Sequence, residues 1–253
     1  KFKDIDKDKA KYVKSADDGY VAMVQHYFVS AWLPQDGTQH DNFIRKVGDD
    51  RYTAGLIVPL GQWVLERACA QLATWAQSPR TASLNLSVNV SARQFRDPGF
   101  VQQVLDAVAR HQVPPRRLHL ELTESLFIGH REITLQRMRE LQEHHISLSL
   151  DDFGTGYSSL AYLKHLPLAQ LKIDRSFVSD IVTDAGDAAI ARTVIDLGQS
   201  LDMAVIAEGV ETEEQFAFLN AGGCELFQGY LLARPMPVQA LQHLLEQDEC
   251  TAP

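Results

Sequence analysis

Leu84-Asn85-Leu86-Ser87-Val88-Asn89-Val90 alternates apolar and polar residues along its whole length. That is the period-two pattern of a strand with two unlike faces. Leu118-His119-Leu120-Glu121-Leu122-Thr123 and Ile146-Ser147-Leu148-Ser149-Leu150-Asp151 repeat it, and shorter runs stand at 171–174, 204–208 and 226–228. Around these runs the apolar spacing is helical, at 65–75, 100–110, 133–142, 188–199, 212–220 and 238–246. Asp97-Pro98 offers the helix at 100–110 an N-cap followed by a favoured first-turn proline. Thr212 and Gln215 have capping-box spacing, and Gly222-Gly223 closes the same helix.

Strands recurring at roughly 20–36-residue intervals with helices between them predict βαβ units and a mainly parallel sheet. An open doubly wound sheet buries both faces of its strands, which then read as continuous apolar runs. Here one face is polar, and its polar residues gather toward the C-terminal ends of the strands. A closed barrel explains this: apolar residues face the helices, while polar ones line the interior and crowd the catalytic rim. The expected fold is α/β, a modified (β/α)8 TIM-like barrel.

The length of 253 residues suits one such barrel or two small domains. A composition 45% hydrophobic and 23% charged excludes disorder and collagen-like repeats. No apolar run reaches the roughly 18 residues of a membrane span, so a soluble, cytoplasmic domain is expected, with room for a tether outside it. The net charge of −9 argues against a broad basic face for duplex nucleic acid. An anionic ligand would need a metal ion or a few placed cations. Cys69, Cys224 and Cys250 match neither a zinc spacing nor a disulfide framework, which fits a reducing compartment.

The strand ends carry the chemistry. Asn89, Glu121, Asp151 with Asp152, Lys172, Glu208 and Gln228 close six successive strands. Carboxylates converging in this way repel one another unless a cation sits among them. Oxygen donors of this kind suit one or two hard divalent ions, Mg2+ or Mn2+. Asp151 could bridge two ions about 3.5–4 Å apart, the arrangement used for in-line attack on phosphate. Lys172 would stand beside them, to hold or deprotonate a water or to stabilise a developing negative oxygen.

Weaker signals carry less. Asp151-Asp152-Phe153-Gly154-Thr155-Gly156 fits neither a dinucleotide fingerprint nor a P-loop. Asp4-Ile5-Asp6-Lys7-Asp8 starts like an EF-hand loop, but Lys9 stands at the required glycine and Ser15 at the closing glutamate. His144-His145 suits a solvated helix end, and Trp63, Leu65, Leu72 and Trp75 read as core.

Six blocks taken together resemble the signature of EAL domains: Ser87-Val88-Asn89-Val90-Ser91-Ala92-Arg93-Gln94, Glu121-Leu122-Thr123-Glu124, Asp151-Asp152-Phe153-Gly154-Thr155-Gly156, Lys172-Ile173-Asp174, Glu208-Gly209-Val210-Glu211 and Gln228-Gly229-Tyr230. These are bacterial phosphodiesterases that hydrolyse cyclic di-GMP to linear pGpG on a modified (β/α)8 barrel. The resemblance implies Asn89, Glu121 and Asp151 as metal ligands, with Asp152 and Glu208 serving a second metal. It implies Lys172, Glu208, Glu124 and Gln228 as catalytic, Gln228 by holding the water and substrate network, and Arg93, Asp152, Lys172 and Gln228 as substrate contacts. Glu124 would anchor the 152–159 loop, which in this family couples substrate, metal and dimerisation. A homodimer and an upstream sensory or GGDEF domain are the partners it implies, besides cyclic di-GMP itself.

One departure stands out. The Glu-Ala-Leu segment that names the family lies on the first barrel strand, which falls near 25–31 here. The residues read Gln25-His26-Tyr27-Phe28-Val29-Ser30-Ala31-Trp32, without an acid, and the arginine two residues after the motif is absent too. Residues 1–54 are either a degenerate opening strand, as in EAL domains that bind cyclic di-GMP without cleaving it, or a remnant of a GGDEF domain. Phe2-Lys3-Asp4-Ile5 and Gly48-Asp49-Asp50-Arg51-Tyr52 faintly resemble the latter. Residues 55–253 are expected to form the EAL domain. A metal-dependent barrel acting on another phosphoester or a carboxylate substrate is the third reading.

Overall fold

The computed structural model describes residues 50–127, 131–154 and 163–247. The expected opening strand near 25–31 lies outside them. The chain enters on a long helix, α1 (Asp50–Trp75), and then strand β1 (Leu86–Val90). A short helix α2 (Ala92–Phe95) and helix α3 (Phe100–His111) lead to β2 (Leu118–Thr123). Helix α4 (Arg131–Glu143) precedes β3 (Ser147–Phe153), and β4 (Gln170–Ile173) follows. Then come α5 (Arg175–Ser179), α6 (Ala185–Ser200), β5 (Ala204–Glu208), α7 (Glu213–Ala221), β6 (Leu226–Gln228) and α8 (Val238–Gln247).

The six strands form one sheet in sequence order, and every neighbouring pair is parallel. Unbroken sequence order with a helix after almost every strand is the winding of a βα barrel, whose strands each follow the last around the axis. The described part is a curled, six-stranded arc. Among the described residues it does not reach the eight strands of a complete barrel.

The alternation seen in the sequence sorts the two faces. Leu86, Val88, Val90, Leu118, Leu120, Leu122, Leu148, Leu150, Leu171 and Ile173 join Leu65, Leu72, Val104, Met138, Val194 and Ile195 of the helices in one core. Truncating one of these leucines costs about 2–5 kcal/mol. The alternate positions carry Ser87, His119, Glu121, Ser149, Gln170 and Lys172, all buried. Buried polar side chains on one face of parallel strands are what a barrel interior requires and what a helix-packed face forbids.

Local signals fare unevenly. The capping box forms as the sequence implied: Thr212 Oγ1 accepts from Gln215 N, and Gln215 Oε1 accepts from Thr212 N. At α3 the expectation needs correcting. Gly99 is the N-cap, and Asp97 Oδ1 instead accepts from Gly99 N at 2.8 Å, closing a turn one step upstream. Trp63 also departs from the expected core. It is 40% exposed while Leu65, Leu72 and Trp75 are buried, because it lies on the outer side of α1. Among the described residues no helix is long and apolar enough to cross a membrane.

Candidate active site

Strand register brings the polar strand ends together. Asn89 pairs with Glu121, Thr123 with Asp151, and Glu208 with Gln228. Between β3 and β4 the register slips: Leu150 pairs with Leu171 and Phe153 with Ile173, so Asp151 and Asp152 together stand opposite the single residue Lys172. Such a bulge bends the strand and re-aims a side chain. Here it sets two consecutive acidic positions against the one lysine of β4.

Lys172 is the centre of the site. Its Nζ lies 2.9 Å from Glu121 Oε2, 3.0 Å from Asp151 Oδ1 and 2.5 Å from Glu208 Oε1. Four different strands supply these four groups. The lysine and Glu121 side chains are 2% and 1% exposed, and those of Asp151 and Glu208 are 14% and 17% exposed. Three carboxylates thus share one ammonium in a poorly solvated place.

The titration behaviour follows. Burial pushes the Glu121 carboxyl up to about 7; Lys172 pulls it down, and Asp151 and Glu208 add to the rise. Burial opposes the charge on Lys172, but Glu121, Glu208 and Asp151 overcome it and hold the ammonium above the ordinary lysine range. Lys172 is therefore a cation at neutral pH, with its three N–H groups directed to three acceptors.

The donor set fits a hard divalent cation. All candidate donors are carboxylate or amide oxygens. Glu121 Oε1 and Gln228 Oε1 are buried and make no hydrogen bond among the described residues, and an unpartnered buried carboxylate oxygen is costly unless a cation or proton meets it. As the described side chains stand, no three His, Cys, Asp or Glu residues converge on a common point as a ligand set; the point on which Glu121, Asp151 and Glu208 converge is the lysine nitrogen.

The remaining expected residues lie around this centre. Asn89 is exposed at the end of β1. Arg93 sits on α2, whose N-cap Ser91 accepts from Gln94 N, and is exposed at the same rim. Glu124 opens the 3-10 turn Glu124–Phe127 after β2, and its Oε1 accepts from Gly154 N at 3.2 Å. That contact reaches the start of the loop after β3, whose residues 155–162 lie outside the described part. Asp152 has its place in β3 at the bulge. Gln228 is half-buried, and its carbonyl accepts from Val210 N at 3.0 Å.

One contact had no signal in the alternation. Arg175 Nη2 reaches Glu211 Oε1 at 2.8 Å, joining the segment after Lys172 to the segment after Glu208. The only hint in the sequence is the equal spacing of Lys172 to Arg175 and Glu208 to Glu211.

The EAL domain family model matches residues 26–235. The bifunctional diguanylate cyclase/cyclic di-GMP phosphodiesterase MucR of Pseudomonas aeruginosa is 46% identical over 187 residues, covering 74% of this chain and 27% of MucR. The chain spans about a quarter of the length of the curated relatives it matches. A solved structure of the PaMucR phosphodiesterase in complex with c-di-GMP superposes with a TM-score of 0.74 at 43% identity, covering 79% of each chain. The calcium/cyclic di-GMP complex of Klebsiella pneumoniae BlrP1 superposes with a TM-score of 0.62 at 28% identity, covering 69% of this chain and 44% of that one. A parallel sheet wound in order, a lysine ringed by strand-end carboxylates and a family match across most of the length agree: the chain belongs to the EAL domain family.

Proposed function

We propose that this chain hydrolyses cyclic di-GMP to linear pGpG with the help of one or two divalent cations, Mg2+ or Mn2+. The observation that carries the reading is the convergence of Glu121, Asp151 and Glu208 on a buried Lys172. A site meant only to be stable would be better filled with apolar side chains. Asn89, Glu121, Asp151, Asp152 and Glu208 would hold the ions. When bound, such ions supply Lewis-acid polarisation of the phosphoryl oxygens and acidify water.

The chain's own groups set the geometry. Lys172 donates to three carboxylates at once and so fixes their separation, and as a permanent cation it favours negative charge gathering on a nearby phosphoryl oxygen. Charged and with all three N–H groups committed to carboxylates, it acts through its charge and does not remove a proton. Water oxygen becomes bonded to phosphorus, the bond to the 3′ oxygen breaks, and the proton lost by the water is made up at the leaving oxygen. Gln228, opposite Glu208 in register, lies where an amide can orient the attacking water. Arg93, exposed at the rim, offers a cation to the second phosphate. Glu124 accepts from Gly154 N and so anchors the chain as it leaves β3. A cytoplasmic domain at residues 55–253, paired as a homodimer and joined to an upstream sensory or GGDEF domain, completes the reading.

A second reading is favoured by one observation. No acidic residue occurs between Asp18 and Asp36, the stretch in which the family's first-strand glutamate is expected. A site short of one ligand holds its ion weakly, and a receptor that binds cyclic di-GMP intact is the result. Purified protein incubated with cyclic di-GMP and Mn2+, with products separated by chromatography, decides between them. Formation of pGpG supports the hydrolase. Retention of intact cyclic di-GMP on the protein, with no pGpG at high enzyme and metal concentration, overturns it in favour of the receptor.

A further inference from the structure

The ends of β4 and β5 are built alike. Lys172 is followed three residues later by Arg175, and Glu208 three residues later by Glu211. Arg175 and Glu211 meet across the rim at 2.8 Å. Between them the chain turns at Gly209 with φ +72°, a left-handed conformation that other residues adopt only with strain. A Cβ at Gly209 would lie 2.3 Å from Arg175 Cγ and 2.9 Å from its Cβ and Cδ. The aliphatic stem of the arginine therefore lies directly against the backbone of the residue after Glu208.

A second bridge runs in parallel. Gln215, 7% exposed, accepts through Oε1 from Glu211 N at 2.7 Å and donates through Nε2 to Ser179 O at 3.1 Å. Helix α5 is thus fastened to the loop after β5 at both ends, by Arg175 at its start and by Ser179 at its finish. On the far side the same loop is held by β6 and the turn after it, since Val210 N donates to Gln228 O and Leu231 N to Val210 O, each at 3.0 Å.

The ion pair itself does little for stability. The Arg175 and Glu211 side chains are 60% and 38% exposed, and such pairs contribute little. What it does fix is distance: the segments it joins begin at Lys172 and Glu208, whose Nζ and Oε1 are 2.5 Å apart. We infer that Arg175 is a positioning residue, whose stem on Gly209 and whose ion pair with Glu211 hold the Glu208 carboxylate in register with Lys172. The inference rests on the hydrolase reading, because it concerns the alignment of that site.

The test uses Arg175→Ala, Arg175→Lys and Arg175→Met in the full chain, with thermal midpoints, steady-state kinetics on cyclic di-GMP, and Mn2+ affinity from the free-ion EPR signal. A misplacement of the order of an ångström costs up to about 100-fold in turnover. Arg175→Ala should lower kcat by about tenfold or more with KM within about threefold, weaken Mn2+ binding, and move the midpoint by only a few degrees. Arg175→Lys, which keeps stem and charge, should recover most of kcat; Arg175→Met, which keeps only the stem, should fall between. Unchanged kcat and unchanged Mn2+ affinity in Arg175→Ala would overturn the proposal. So would a raised KM at unchanged kcat, which marks a substrate contact instead. If wild-type protein releases no pGpG, the hydrolase reading fails, while the Mn2+ comparison between wild type and Arg175→Ala still decides for or against the positioning role.

Discussion

Lys172 Nζ and Glu121 Oε2 stand 2.9 Å apart with both side chains almost wholly withdrawn from solvent. The lysine adds Asp151 and Glu208 as further partners, so it is a counter-charge shared by carboxylates from three other strands. Desolvating a buried ion pair costs more than an exposed one returns, and a well-packed apolar replacement is often as stable. The cluster is therefore better explained by chemistry than by folding, and it makes the lysine hard to remove.

Replacing Lys172 by Met should cost about 3–5 kcal/mol of stability, because it leaves buried carboxylates without their cation. Turnover of cyclic di-GMP should drop by at least about 100-fold, the loss typical of an electrostatic group aimed at developing charge. Added Mn2+ should raise the melting temperature of Lys172→Met more than that of wild type, since a divalent cation supplies the missing positive charge. Thermal melts with and without Mn2+ check this. Equal gains in the two proteins would show that the ion does not take the place of the lysine's charge among these carboxylates.

Much of this was legible in the sequence because a strand's period of two survives any tertiary context. Leu118–Thr123 begins and ends where the alternation does, and the short runs at 204–208 and 226–228 are strands with those same bounds. The site was legible for the same reason: parallel strands deliver their C-terminal residues to one rim. What the alternation cannot carry is a register slip, so the stand of Asp151 and Asp152 opposite Lys172 came only with the structure. Short capped helices were missed as well. Ser91 and Asp174 each fold four or five residues into α2 and α5, too few for a helical period to show. Trp63 misled because a long helix with a mixed face gives no sharp apolar stripe, and residue type alone does not tell the inner side from the outer.

Cys69 and Cys224 should resist labelling in the native state. Burial pushes the Cys69 thiol up to about 12 with help from Glu66, and burial pushes Cys224 up to about 11 against the backbone hydrogen bonds it makes. The thiolate is the reactive form, so at pH 8 only a minute fraction of either residue can react. A thiol-specific chromophoric reagent at pH 8, followed by peptide mapping, should find both unlabelled until denaturant is added. Rapid native labelling of either one would contradict its burial.

Gly229→Ala tests the seam between β5 and β6. A Cβ at position 229 would lie 2.1 Å from Val210 O and 2.4 Å from Val210 N, and backbone atoms cannot swing aside as a side chain would. The expected cost is about 3 kcal/mol, at the upper end of overpacking, with loss of turnover because Gln228 and the 209–211 turn move together. Denaturant melts and the pGpG assay read the two effects; a variant as stable and active as wild type would show that the seam has slack.

Glu66 gives a pH-dependent prediction remote from the site. It lies on α1, where it accepts a hydrogen bond from Arg110 Nη1 and has His111 Nε2 2.9 Å from its Oε2, so it ties α1 to the C-terminal turn of α3. Burial pushes its carboxyl up, but the hydrogen bonds with His111 and Arg110 outweigh this and leave it below the ordinary glutamate value of 4.5. A group whose folded value is depressed contributes stability above its unfolded value and loses it as pH falls through the folded one. Glu66→Gln should therefore be less stable than wild type at pH 7 by up to about 1 kcal/mol, the size of a largely solvated pair. The gap should shrink as pH falls below the ordinary glutamate value of 4.5 and through the lower folded one, and 1 M salt should narrow it at pH 7. Urea melts of both proteins from pH 3.5 to 7.5 measure this; a gap that stays constant across that range would mean that the packing of the Glu66 stem, and not its charge, holds the two helices together.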